Sequence, residues 1–339
     1  MKQTVFNLIF ATIALSAVFT SCKEKDKQYD VYIAGDKLNE ENLVATVWKN
    51  SASQYLSNKP SRANSVYVSG SDVYVAGFES DGLVQTASLW KNGTIQHLTN
   101  GTHHANAYSV YFSNSDVYVA GYECEDNVQY IPVAKLWKNG IAQSLTGGTY
   151  YAEATAVCVS EGDVYVAGWE KNGGQSVAKI WKNGTEQYLT DGRRNAKAYS
   201  VCVSENDVYV AGIESNTQNI NVATVWKNGV AQYLSDGTCD GYAQSVYVFK
   251  GNVYVAGYED NKRSVAKLWK NGVAKNLTGG ASYGYAQSVF VSDTSAYVAG
   301  YETNDEHVAK LWKNGLAQYF ATETLNTRAY SVFVIEVKQ

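Results

Sequence analysis

Seven copies of Trp-Lys-Asn, four short β-rich runs in each period, and a chain that starts and stops part-way through a repeat predict an all-β protein. The predicted fold is a seven-bladed β-propeller of four-stranded antiparallel blades. The tryptophans are Trp48, Trp90, Trp137, Trp181, Trp226, Trp269 and Trp312, spaced 42, 47, 44, 45, 43 and 43 residues apart. Six copies continue into Gly, and the first reads Trp48-Lys49-Asn50-Ser51. A period near 44 over the whole body argues against a single-core enzyme fold, because each unit is too small to bury a face alone.

One repeat shows the elements. Residues 107–113 form a β-rich run, strand A, and Asn114-Ser115 is a turn. Residues 116–122, Asp-Val-Tyr-Val-Ala-Gly-Tyr, form strand B, and a polar loop runs over 123–131. Strand C spans 133–138 and carries the Trp. Asn139-Gly140 is a hairpin signal, since both residues accept positive φ in a type I′ turn. Strand D covers 141–146, and a Gly-rich loop leads to the next repeat without helical periodicity.

The phase of the chain predicts how the ring closes. The body begins with a strand B at 30–35 and ends with an unpartnered strand A at 329–334. The C-terminal strand is therefore expected to complete the first blade, whereas an open solenoid needs polar caps at both ends. Each Trp is read as packing, an indole burying about 150–250 Å² against the next blade, in preference to a ligand-stacking ring. Ser51 is expected to cost roughly 1 kcal/mol as a non-Gly residue at positive φ.

Glu79, Glu123, Glu170, Glu214, Glu259 and Glu302 follow strand B at a constant offset, with Asp36 one position earlier in the first copy. Such a ring could bind cations. Local pairing with nearby Lys135, Lys179, Lys267 and Lys310 is the preferred reading, at about 0–1 kcal/mol for each exposed pair. Cys158 and Cys202 fill one slot in neighbouring repeats, where other copies hold Tyr67, Tyr111, Tyr247, Phe290 and Phe333. They read as small core residues. Cys124 and Cys239 are expected in loops of well-separated repeats, with no spacing that suggests a disulfide framework or zinc site.

The formal charge is −4 with both signs dispersed, unlike the basic footprint of a nucleic-acid binder, so no nucleic-acid partner is expected. No His-Glu-x-x-His, Gly-x-Ser-x-Gly or phosphate loop occurs, and none of the four His has an acid cluster at ligand spacing. No catalytic residue, metal or cofactor is expected. Acidic residues Glu125, Asp126, Glu153, Asp240, Asp260, Asp305 and Glu306 are too scattered to pair from sequence.

An up-and-down blade sends its B–C and D–A loops to one face and its A–B and C–D turns to the other. The turn face repeats Asn-Gly with little change, and the loop face carries most of the variation. Its candidate binding residues are His103, His104, Tyr150, Tyr151, Arg193, Arg194, Tyr283 and Tyr285, types that supply stacking surface and hydrogen-bond donors.

The N-terminus is separate. Met1-Lys2 is a basic start, an apolar run covers residues 5–19, and Phe19-Thr20-Ser21-Cys22 follows. This resembles a bacterial lipoprotein signal, which implies cleavage before Cys22 and lipid on that residue, with 22–29 as a charged tether. The alternative is an ordinary secretory signal with an incidental Cys. The expected organisation is signal peptide 1–21, tether 22–29 and one propeller over 30–339.

Across 29–339 the chain resembles bacterial envelope lipoprotein β-propellers. Its blade pattern Asp-Val-Tyr-Val-Ala-Gly-Tyr-Glu … Val-Ala-Lys-Leu-Trp-Lys-Asn-Gly is distantly similar to a kelch blade, with one Gly where kelch has a pair. Propeller lectins are similar in carrying near-identical blades. The resemblance implies a lipid-anchored protein, with its anchor in the bacterial outer membrane and a glycan or protein as ligand. Two functions remain open at this level: a non-enzymatic binding or scaffold lipoprotein, and a glycan-active hydrolase or lyase built from loop carboxylates.

Overall fold

The computed structural model describes residues 27–125, 130–293, 295–318, 320 and 326–337. The expected signal peptide, Cys22 and most of the tether lie outside the described residues. Seven four-stranded antiparallel sheets stand in a ring, with no helix among the described residues. Blade 1 is assembled from both ends of the chain, in the order Thr327–Glu336, Tyr29–Asn39, Asn42–Lys49, Ala52–Tyr55. The closure expected from the phase is thus present. Strands A and B run longer than the pattern suggested, whereas strand D, expected over 141–146, ends at Ser144. The first strand B reaches Asn39, leaving two residues before strand C begins at Asn42.

The seven A strands are innermost, and each contacts the A strand of the blades on either side. Strand D is outermost and short, and almost every residue on it is exposed. The core is divided into seven clusters, one between each pair of blades. The Trp side chains of the seven Trp-Lys-Asn copies are each at most 1% exposed. Each packs against the blade before it and not, as expected, the one after. Trp137 of blade 3 seats among Tyr74, Ala76, Ala87 and Leu89 of blade 2, and Trp48 of blade 1 seats on blade 7. A ligand-stacking ring of tryptophans is excluded by this burial.

The turn face is a repeated clasp. Asn139 and Gly140 have φ of 50° and 82°, as a type I′ turn requires. The Asn139 carboxamide accepts from Val117 N–H at 2.8 Å and donates to Asp116 at 2.7 Å. Lys138 pairs with the same Asp116 at 2.7 Å and lies 5.4 Å from the Tyr118 ring centroid. The same groups recur in blades 1, 2, 4 and 5, so the constancy of this face is a folding requirement. Ser51 is held at φ 79°.

The Gly that ends Val-Ala-Gly marks a β-bulge. Register between strands A and B shifts at Ala107/Ser109, leaving Tyr108 unpaired. A Cβ on Gly121 would lie 2.0 Å from the Asn106 carbonyl oxygen, so no other residue fits without moving backbone. The bulge recurs in every blade. Just below it, a Ser hydroxyl accepts from a Val N–H of the next A strand, as in Val110 to Ser65 at 3.2 Å. Six blade junctions carry this bond. At the seventh, Ala156 replaces the Ser, and Thr155 donates to the Ala198 carbonyl at 2.9 Å.

One layer further down, Phe290, Phe333, Tyr67 and Tyr111 are in ring contact at 4.7–4.9 Å, with Tyr247 4.7 Å from Phe290. Cys158 and Cys202 complete this layer, and burial pushes the Cys158 thiol up to about 12. The core-residue reading of these cysteines agrees with their positions. Cys124 differs from expectation: it closes strand Asp116–Cys124 and is buried rather than in a loop.

Candidate functional site at the axial mouth

At the loop-face end the seven A strands surround the axis, and the ring of side chains gathered there is called the mouth. Three slots per blade line it. The first is the residue before the constant Ala of strand A: Arg328, Arg62, Asn106, Glu153, Lys197, Tyr242 and Tyr285 in blade order. The second is its partner across the ladder on strand B: Asp36, Phe78, Tyr122, Trp169, Ile213, Tyr258 and Tyr301. The third is the bulge residue: Tyr330, Asn64, Tyr108, Thr155, Tyr199, Gln244 and Gln287. The bulge frees this residue from the ladder. The Ala and Val of strand A and the Val-Ala-Gly of strand B beside these slots are the same in nearly every blade, and within the slots the sequence varies.

Side-chain contacts run round the axis through these slots. Asn64 donates to Asn106 at 2.8 Å, and Tyr108 lies 5.8 Å from Tyr122. Glu153 sits between Tyr108 and the Trp169 indole N–H, and Lys197 covers the Trp169 ring at 3.6 Å. Tyr199 neighbours Tyr242. Tyr242 stacks on Tyr258 at 4.7 Å, Tyr258 meets Tyr285 at 5.0 Å, and Tyr285 meets Tyr301 at 4.9 Å. Tyr301 lies 6.2 Å from Tyr330, whose hydroxyl donates to Asp36 at 3.3 Å. Arg62, 4.9 Å from the Tyr330 ring, brings the circuit back to blade 2.

Two carboxyl groups stand within this circuit. Asp36 is 1% exposed and takes both Nε and Nη2 of Arg328 at 3.0 Å, with Arg62 at 3.3 Å. Glu153 faces a different balance. Burial raises its pKa, against the pull of Lys197, Tyr108 and Trp169, and part of the side chain still meets solvent. Burial likewise lowers the pKa of Lys197, with Lys171 adding to it and Glu153 opposing. Burial raises the pKa of Tyr108, Tyr199, Tyr258 and Tyr330, so these hydroxyls are donors at neutral pH.

Of the eight residues singled out from sequence, Tyr285 alone belongs to the three mouth slots. The others are distributed around the rim. His104 rings against Tyr130 at 5.3 Å, and His103 lies 3.3 Å from the Thr102 hydroxyl. Tyr150 is 50% exposed over a cleft of about 430 Å³ with Lys179 and Tyr188, and Tyr151 carries Lys171 at 5.2 Å. Arg194 pairs with Glu214 at 2.9 Å, Arg193 with Asp191 at 3.3 Å, and Tyr283 lies 5.7 Å from Arg263. The repeated Glu residues pair locally, with Lys59, Lys135, Lys179, Arg194, Lys267 and Lys310. Among the described residues no group of three or more His, Cys, Asp or Glu could hold a metal ion.

Sequence reasoning missed the mouth because it sought variation in loops. The signal was inside the strands: aligning the repeats on Val-Ala-Gly isolates the variable slots. Glu153, grouped with the scattered loop acids, lies on strand Ala152–Ser160. No protein-family model matches the chain, and no curated protein matches it.

Proposed function

We propose that this chain is a non-enzymatic binding protein of the bacterial cell envelope, anchored in the outer membrane by lipid on Cys22, that recognises a glycan through the axial mouth. The carrying observation is the circuit of half-buried tyrosines from Tyr242 to Tyr330, flanked by amide and charged side chains. Aromatic faces stack on the apolar face of a sugar ring, and the neighbouring polar groups meet its hydroxyls. A ring of a few aromatic and polar slots suits a chain of sugars better than a protein surface, which needs about 800 Å² on each partner.

The test is a glycan array probed with the labelled full chain, its Tyr258→Ala variant and its Lys138→Ala variant. Binding that falls with Tyr258→Ala and persists with Lys138→Ala supports the mouth. Equal losses from both faces would sink it. The anchor is tested separately: Cys22→Ala should release the protein from membranes, and undiminished membrane association would place the anchor elsewhere.

One observation favours the second reading, a glycan-active hydrolase or lyase. Glu153 is a carboxyl whose protonated form is favoured by burial, as a general acid requires. New reducing ends or unsaturated products from a bound glycan, lost in Glu153→Gln, would establish turnover.

A further inference from the structure

We propose that the glycan bound at the mouth is acidic, with a carboxylate or sulfate substituent seated against Arg62 at the junction of blades 1 and 2. This rests on the glycan reading above and adds the class of ligand.

Charge balance is the first argument. The chain is acidic overall, at −4, yet the mouth slots set Arg62, Lys197 and Arg328 against Asp36 and Glu153. A cationic recess in an acidic protein attracts an anion specifically to that recess.

Arg62 itself is the second argument. Asp36 is already committed to Arg328 through two oxygens at 3.0 Å, in the fork geometry that satisfies a carboxylate. Arg62 approaches the same carboxylate by Nε at 3.3 Å, and that Nε makes no hydrogen bond. Two guanidinium groups on one carboxylate leave one positive charge in excess. The Arg62 side chain is 35% exposed and held between Phe78 and Tyr330, at 5.8 and 4.9 Å from their centroids. An arginine flanked in this way is pre-ordered to present its outer nitrogens to an oxyanion.

Space is the third argument. A cleft of about 470 Å³ lies at this shoulder, with Asp36, Arg62, Phe78 and Arg328 in its wall and Glu41 also lining it. That volume accommodates a substituted sugar unit. Phe78 supplies an apolar face beside the charge.

The test is calorimetric titration of the full chain with three oligosaccharides of equal length: a polyuronate, the same polyuronate as its methyl ester, and a sulfated neutral glycan. The acid or sulfated form should bind at least tenfold more tightly than the ester, with affinity falling as salt is raised. Which anion wins separates carboxylate from sulfate. Arg62→Gln should remove roughly tenfold or more of the preference, and Arg62→Lys should retain part of it. The comparison of acid with ester on the unmutated chain decides the matter even where a variant folds poorly. Equal affinity for acid and ester, or binding of uncharged glycans alone, overturns this inference and leaves the glycan reading standing. Binding of no glycan at all overturns both.

Discussion

Blade 1 is the blade made from both chain ends, and it alone carries a salt bridge between the two opposed mouth slots. Asp36 on the N-terminal strand faces Arg328 on the C-terminal strand as direct partners across the ladder. Other blades hold an aromatic or aliphatic residue in the Asp36 slot. A one-residue slip of the closing strand would set Thr327 or Ala329 opposite Asp36 and leave a buried carboxylate unpaired. The pair therefore fixes the register of closure. Arg328→Met removes the two 3.0 Å bonds and leaves Asp36, 1% exposed, with Arg62 at 3.3 Å and Tyr330 at 3.3 Å. Removing one partner of a buried pair costs about 3–5 kcal/mol, and the surviving contacts place this case near 3. Asp36→Leu should cost a similar amount by stranding Arg328. The double variant Asp36→Leu/Arg328→Met should cost no more than the worse single, a coupling of about 3 kcal/mol. Urea unfolding followed by tryptophan fluorescence is the assay, since all seven repeat tryptophans are buried. Midpoints should move with the slope unchanged. A cost below about 1 kcal/mol for Arg328→Met, or strictly additive singles, would show that the pair does not hold the closing strand in register.

Three further outcomes are expected. Ser51→Gly relieves a non-Gly residue at φ 79° and should stabilise the fold by up to about 1 kcal/mol in the same assay, whereas no gain would mean that the turn is unstrained. Ending the chain before Thr327 strips blade 1 to three strands and exposes two edges, so the truncated protein should aggregate or lose its cooperative melt. Glu153 has a raised pKa in the fold, so its contribution is present below the ordinary value of 4.5 and is lost as pH rises through the raised value. Relative to Glu153→Gln, the unmutated chain should lose stability as pH rises above the ordinary value of 4.5, and parallel pH profiles would contradict the burial of that carboxyl.

The local and periodic features of the fold can be read from the chain alone. The Trp-Lys-Asn spacing set the blade count, Asn-Gly set the hairpin between strands C and D, and a first strand B with a last strand A set the closure. These were legible because each depends on residues near in sequence, or on a pattern repeated often enough to read. The clasp through Asp116, Lys138 and Asn139 was half legible. Its turn was evident, but the Asp lies on another strand and joins the turn only through pairing. The tertiary structure decided where function can reside. Arg62, Glu153, Lys197, Tyr258 and Arg328 stand in five different blades, and although their slots recur at the repeat period, the period alone does not show that those slots face one axis. Closing the ring carries the same slot of every blade to one axis, and the bulge opposite each Gly turns a further residue out of the ladder. Asp36 stands one position earlier than the acids of the other copies. Because side chains alternate across a strand, that single step carried the carboxylate from the blade rim into the buried mouth, beside two arginines.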